Sequence, residues 1–591
     1  MESASAVAED PYQRWVRCYD TLSEADRRAI LGHVALLAAH PLISVVMPVY
    51  NPPAAVLARA IRSVRAQLYP YWELCIADDA STAPHVAPLL ADAAHGDPRI
   101  RLVQRPANGH VCAATNSALE LAGGDFVALL DHDDVLPEQA LYEVAAELNA
   151  HPDADLIYSD EDRIDDTGRR SDPYFKPDWN PELLLGHNVI SHLGVYRRSL
   201  LTRLGGLRPG FEGSQDYDLA LRATDATMPD RIRHIPAVLY HWRRSPDGSS
   251  FSEAWLDQCT GAARRAIRDH LDRRGYPGAT IGPVPLAPDW HQVTYPVPAP
   301  APLVSVIVPT RDHADLLRRT CEGVLHGTDY APLELIVVDN DTSEAAALAV
   351  LRDLDGDPRV RILSHPGPFN YPAMNNAAVR LARGEILVLL NNDIEVVDPG
   401  WLRQMVGHAV RHDVGAVGAK LLYPDGRVQH VGVSLGPNGS VAHLLRFAGG
   451  DDPGYFGQLV LTRALSAVTG ACLALRREVF EEVGGLDERL AVAFNDVDLC
   501  LRLGDYGYRV VWAAAARLVH LESASRGADS EGERERRAYG EWEFLRRRWG
   551  SVLDNDPFHN PNLEMQLHPP TIPSPPRRTR PWRRGQAGSD A

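Results

Sequence analysis

Apolar positions first recur at helical spacing, then gather into short continuous runs. Between residues 9 and 40, Trp15, Val16, Tyr19, Leu22, Ile30, Leu31, Val34 and Leu37 follow a helical period, with Thr21 or Ser23 placed to cap. That predicts a helical preamble over residues 1–41. The apolar runs at 42–49, 72–77 and 126–130 read as buried strands, separated by helical patterns at 56–67 and 116–121. Acids stand at the strand exits. The alternation predicts an α/β fold, with a mostly parallel sheet, flanking helices and right-handed crossovers.

The same pattern then returns. Ser44-Val45-Val46-Met47-Pro48-Val49-Tyr50 recurs as Ser305-Val306-Ile307-Val308-Pro309-Thr310-Arg311, 261 positions later between the prolines. Glu73-Leu74-Cys75-Ile76-Ala77-Asp78-Asp79 recurs as Glu334-Leu335-Ile336-Val337-Val338-Asp339. Leu129-Leu130-Asp131-His132-Asp133 recurs as Leu389-Leu390-Asn391-Asn392-Asp393, and Asp216-Tyr217-Asp218-Leu219 as Asp496-Val497-Asp498-Leu499. This period is far above that of stacked repeats, so each copy can bury its own core. The expected division is a first domain at 42–250 and a second at 303–530. A helix near 253–274 and a proline-rich, semi-rigid spacer over 283–302 fill the interval 251–302. A charged helix is expected in 531–556, and a disordered Pro/Arg-rich tail over 557–591.

Composition narrows the classes. With 591 residues, 45% apolar and 23% charged, two cores are affordable. The net charge of −18 argues against a nucleic-acid partner. Seven scattered cysteines without a CxxC pair read as reduced thiols in a cytosolic protein. Glu2, Glu9 and Asp10 leave no basic region ahead of an apolar one, so no secretory signal is expected. Apolar runs such as 386–390 are too short to cross a bilayer. A soluble or peripheral protein is expected.

The acids carry the candidate chemistry. Asp131 and Asp133 at a strand end can converge on a hard divalent ion, although Asp-rich turns are also common in solvated loops. Asp79 and Asp339 end the second strand of each copy, where a carboxylate can accept from a base or ribose, or else cap a helix. Asp216 and Asp496, each after a Gly-Gly-Leu, are placed to act as general base or as ordinary N-caps. His241 and His520 end later strands and could complete a metal shell. No GxGxxG follows the first strand, and no GxxxxGK[ST] occurs, which disfavours a dinucleotide oxidoreductase or P-loop NTPase.

As a set these segments resemble the family 2 glycosyltransferases of GT-A fold. Met47-Pro48-Val49-Tyr50-Asn51, Asp78-Asp79-Ala80-Ser81, Asp131–Asp133, Gln215-Asp216 and His241 come in that family's order. So do Val308-Pro309-Thr310, Asp339, Asn391-Asn392-Asp393, Asn495-Asp496 and His520-Leu521-Glu522-Ser523; the last segment, with Asn391-Asn392-Asp393, resembles the bacterial rhamnosyltransferase and O-antigen branch. The resemblance implies inverting hexosyl or deoxyhexosyl transfer from a nucleotide-diphospho-sugar to a cell-surface polysaccharide. It places the donor at Pro48, Tyr50, Asp78, Asp79 and Asp131, and at Pro309, Asp339 and Asn392. It implies Mn²⁺ or Mg²⁺ at Asp131, Asp133 and His241, and at Asn391, Asp393 and His520, with Asp216 or Asp496 as base. Asn391 departs from the acid, and Gln215 and Asn495 replace a usual Glu. Two active sites are therefore expected, or one with a degenerate acceptor-binding domain. A sugar-1-phosphate nucleotidyltransferase would need a Gly-rich first loop where this chain has Tyr50-Asn51-Pro52-Pro53.

The resemblance also implies a lipid-linked oligosaccharide acceptor. Arg577, Arg578, Arg580, Arg583, Arg584 and Trp582 could rest on anionic lipid, giving a cytoplasmic protein that visits the inner face of the membrane.

Overall fold

The computed structural model describes residues 10–244, 255–436, 440–521, 531–564 and 568–583. The first copy is built on β1 (Ile43–Val49), β2 (Trp72–Asp78), β3 (Ile100–Gln104), β4 (Phe126–Leu129), β5 (Leu156–Ile164), β6 (Arg170–Tyr174), β7 (Val195–Arg197) and β8 (Ile232–Arg243). They form one sheet in the order β3-β2-β1-β4-β7-β5-β6, with β8 on β5. β1 to β4 pair in parallel, whereas β7 runs antiparallel between β4 and β5.

A hairpin of β9 (Thr280–Val284) and β10 (Ala287–Thr294) follows. The second copy opens with β11 (Val304–Thr310), β12 (Leu333–Asp339), β13 (Val360–Ser364), β14 (Ile386–Leu390), β15 (Ile394–Val396) and β16 (Val414–Leu422). It continues through β17 (Val428–His430), β18 (Val433–Gly436), β19 (Ser440–His443), β20 (Arg463–Leu465), β21 (Cys472–Arg476) and β22 (Arg509–His520). Its main sheet runs β13-β12-β11-β14-β21-β16-β22-β15, separate from the first.

The repeated Ser and Glu have one physical cause in both copies. Ser44 Oγ and Ser305 Oγ each donate to a buried glutamate, Glu73 or Glu334, at 2.6 Å. Each Ser also accepts a glycine N–H, from Gly124 at 2.9 Å and Gly384 at 2.8 Å. A Cβ on Gly124 would meet Leu42 O at 2.5 Å, and one on Gly384 would meet Ser305 N at 2.6 Å. Neither position has room for another residue.

Asp218 and Asp498 are structural. Each takes the Nε of an arginine one helical turn on, Arg222 at 2.8 Å and Arg502 at 2.9 Å. Those guanidiniums donate in turn to the carbonyls of Gly206 and Gly485, which explains the Gly-Gly-Leu that precedes both helices.

Two expectations are corrected. The proline-rich interval is not a bare spacer: the helix Leu256–Arg273 and the β9–β10 hairpin both pack on the first copy, with Ala263, Ala266, Ile267 and Val284 in its core. Part of the expected helix, 253–254, lies outside the described residues.

The tail is also packed, over 557–564 and 568–583. Trp582 enters the core of the first copy beside Tyr142 and donates Nε1 to Asp26 at 2.9 Å. Arg578 pairs with buried Glu143, and Arg580 and the half-exposed Arg583 face Asp26, so each of these cations has a partner within the chain; Arg584 lies outside the described residues. Low hydrophobicity hid this, because one tryptophan and a few complementary carboxylates anchor the segment.

The copies meet through buried charge. Glu182 of the first copy receives Arg411 at 2.8 Å and also pairs with Arg509. Among the described residues no helix is long and apolar enough to cross a membrane.

Candidate active site

The carboxyl ends of β1, β2 and β4 open into a cavity of about 890 Å³ in the first copy. Pro48, Tyr50, Asp79, Asp131, Asp133 and Asp216 all line it. The parallel pairing sets this convergence, since β1 aligns Val49 with Asp78 and Val46 with Leu129, bringing both strand exits to one edge.

Asp79 is 2% exposed and accepts from Arg105 Nε at 2.7 Å and Gly109 N at 3.0 Å. Asp78 instead turns back and accepts Ser81 N at 3.0 Å. Asp339 does the same with Thr342 N at 3.0 Å. Val49 pairs with Asp78 and Thr310 with Asp339, so Asp339 is the counterpart of Asp78, and Asp79 is matched by Asn340. Asn340 gives its amide to the carbonyls of His365 and Gly367. Asp78 and Asp339 thus hold the turns after their strands, and neither caps the helix that follows, whose N-caps are His85 and Glu344. Pro309 is likewise buried in β11, and Asn392 donates to Thr310 Oγ1 at 3.0 Å.

Asp131 is half exposed, but into the cavity. Its withdrawal from bulk water, then Asp133 and Asp216, push its pKa up to about 7. Asp216 opens the helix Gln215–Asp225; burial raises its pKa, opposed by the N–H groups of Tyr217 and Asp216 and by Asn188, whose Nδ2 donates at 2.8 Å. In the second copy Asp496 accepts Gly470 N at 2.8 Å.

The two histidines do not match. His520 Nε2 lies 3.1 Å from Asp393 Oδ1 and 3.5 Å from Asn391 Nδ2. His241 faces away, its Nδ1 at 2.5 Å from Asp162 Oδ1, in a buried cluster with Arg170 and Tyr12. The cause is register. His520 bridges Ile394, one residue after Asp393, whereas His241 bridges Val135, two residues after Asp133. One position of slip turns a side chain to the opposite face of a strand. Trp242 takes the cavity face instead, and His241 is withdrawn from the candidate metal set.

Sequence reasoning missed His192. Its Nε2 is 3.9 Å from Asp131 Oδ2, and its ring stacks on Tyr240 with centroids 4.2 Å apart. Burial lowers its pKa to about 3, so it is a neutral imidazole. Tyr240 Oη donates to Asp134 at 2.6 Å beneath the acidic turn. The signal was present as two histidines and Asn188 within an apolar stretch, His187-Asn188-Val189-Ile190-Ser191-His192.

A divalent cation fits both acidic turns in part. His520 Nδ1 is buried with no hydrogen-bond partner, Asp393 Oδ1 is buried facing His520 Nε2, and crowded carboxylates surround Asp131. Among the described residues no three or more His, Cys, Asp or Glu side chains form a complete metal site. A bound ion would need oxygen ligands from a diphosphate or water, as Mg²⁺ commonly does. Residues 522–530, including Glu522 and Ser523, lie outside the described part.

A family model, glycosyl transferase family 2, matches residues 44–205 and 305–484, and a second, glycosyl transferase family group 2, matches 447–556. The chain is 48% identical over 558 residues to the uncharacterized protein y4gI of Sinorhizobium fredii, covering 93% of this chain and 61% of that one. It is 44% identical over 537 residues to the O-antigen biosynthesis protein RfbC of Myxococcus xanthus, covering 90% and 41%. The chain thus spans roughly two fifths to three fifths of these relatives' length. A solved mannosyltransferase from Pyrobaculum calidifontis, in complex with GDP-Man and Mn²⁺, matches at 20% identity and TM-score 0.33, covering 44% of this chain and 70% of that one.

Proposed function

Because the chain belongs to glycosyl transferase family 2, we propose that its copies transfer glycosyl groups from nucleotide-diphospho-sugars, with inversion, to a growing O-antigen-like polysaccharide. The observation that carries this reading is the convergence of Asp79, Asp131, Asp133 and Asp216 on one cavity. Asp79, held by Arg105 and Gly109 N, presents an acceptor oxygen to the nucleoside. Asp216, its basicity raised by burial, takes the proton of the acceptor hydroxyl as that oxygen bonds the anomeric carbon. The bond from that carbon to the diphosphate breaks on the opposite face. Asp131 and Asp133, or Asn391, Asp393 and His520, would hold Mn²⁺ or Mg²⁺, which supplies charge to the leaving diphosphate.

The donor, a lipid-linked acceptor and a cytoplasmic location belong to this reading, and the similarity to the O-antigen biosynthesis protein RfbC supports it. Contact of the tail arginines with lipid does not, since Arg578 and Arg580 are largely buried in ion pairs and the half-exposed Arg583 is paired with Asp26. A second reading makes the second copy an acceptor-holding module, favoured by Asn340 and Asn391 in place of acids.

Incubation with a panel of nucleotide sugars and Mn²⁺ tests the first reading. With the second copy silenced by Asp496→Asn, nucleotide release by the first copy is expected with Asp133 intact and not after Asp133→Ala. Full release by that variant in the presence of chelator would refute it.

A further inference from the structure

Lys176 is fully buried and lies outside the chemistry above. Its Nζ donates to the carbonyls of Ile190 at 2.9 Å and His192 at 2.7 Å, and pairs with Glu161 at 2.9 Å. Glu161 also accepts His192 N at 3.1 Å, and Ser159 Oγ accepts Leu193 N at 3.1 Å. One segment, residues 188–193, is thereby held at four points, two on β5 and two on Lys176. It presents Asn188 to Asp216 at one end and His192 to Asp131 at the other.

Lys176 is in turn fixed from the far end of the chain. Asn560 Nδ2 donates to Lys176 O at 2.7 Å and to both oxygens of Asp160 at 3.0 Å. Asp160 also accepts Lys176 N at 2.8 Å. Close by, Tyr455 of the second copy donates to Pro173 O at 2.6 Å and accepts Phe175 N at 2.9 Å, and Asp178 N donates to Pro557 O at 2.9 Å.

We propose that Lys176, clamped by Asn560 of the C-terminal segment, is the positioning residue that holds Asn188 and His192 against the acids of the first site. A buried ammonium on two carbonyls is costly unless its geometry is fixed, and here each of its three donors has a partner. The first copy is then incomplete without the segment that follows the second. A fold-only ion pair would need no contact with the loop that carries Asn188.

The proposal rests on the transfer reading for its kinetic arm alone. Hydrogen–deuterium exchange on the full chain tests the holding directly: Asn560→Ala and the charge-neutral pair Lys176→Met/Glu161→Gln should speed exchange over 187–194 at least tenfold. The double change keeps the test usable if Lys176→Met alone, leaving Glu161 unpaired, fails to fold. In an Asp496→Asn background, where only the first site turns over, kcat for the nucleotide sugar hydrolysed best should fall about 100-fold with KM changed less than threefold, as expected when reacting groups are misplaced by about 1 Å. Arg578→Gln, which breaks a buried tail ion pair away from the loop, should lower the thermal midpoint and spare kcat. Unchanged exchange over 187–194, or a kcat loss no larger than that of Arg578→Gln, would overturn the proposal. Inactivity of the unaltered chain with every nucleotide sugar would count against the transfer reading and leave the exchange result standing.

Discussion

His520 Nε2 faces Asp393 Oδ1 across 3.1 Å, whereas His241, its apparent repeat, is held by Asp162 at 2.5 Å on the other side of its strand. The two copies therefore do not surround their acidic turns alike. In the first, the nearby imidazole is His192, from the segment before β7, and Trp242 occupies the cavity face of β8.

This difference is measurable as metal affinity. His520→Gln should weaken Mn²⁺ binding to the full chain by at least tenfold, read by titration calorimetry. His241→Gln should leave binding unchanged and lower the thermal midpoint, because buried Asp162 loses a partner. Equal loss of Mn²⁺ binding in both variants would contradict the register assignment.

The two candidate bases should govern separate steps. Asp216→Asn and Asp496→Asn are each expected to cost about 10²–10⁴ in rate for one linkage only. Different truncated products should accumulate, seen by mass spectrometry of the polysaccharide. Wild-type product from Asp496→Asn would favour the acceptor-holding module.

Stability should fall on the alkaline side through His234. Burial disfavours its charge, but Asp160 and Asp178 outweigh that and raise its pKa to about 9. A folded-state pKa above the unfolded one, about 6.5, means that the protonated ring stabilises the fold. Its contribution is complete below about pH 6.5 and is lost as pH rises through about 9. Denaturation midpoints of His234→Gln should therefore change less over that window than those of the unaltered chain, and parallel profiles would refute the assignment.

The tail should behave as part of the core. Trp582→Ala is expected to destabilise by about 3–5 kcal/mol, given its burial against Tyr142 and its bond to Asp26. Deleting residues 569–591 should cost at least as much in chemical denaturation. A deletion that is neutral for stability but weakens sedimentation with anionic vesicles would restore the lipid-facing tail.

The sequence by itself determined the duplication, the strands that end in acids, and the division into two α/β units. Those features are local: continuous apolar runs and repeated Ser, Glu and Asp positions are written along the chain, and each copy buries its own sheet. It also singled out Asp131, Asp133 and Asp216, which the fold brings together. Tertiary structure decided what depends on pairing between distant segments. Which of Asp78 and Asp79 faces the cavity, and whether His241 does, follow from strand register, where one residue reverses the face. Asn560, 384 positions from Lys176, shows the same limit: its polar neighbours in sequence read as a loose tail, and only a buried carboxylate on the other copy gives it a place.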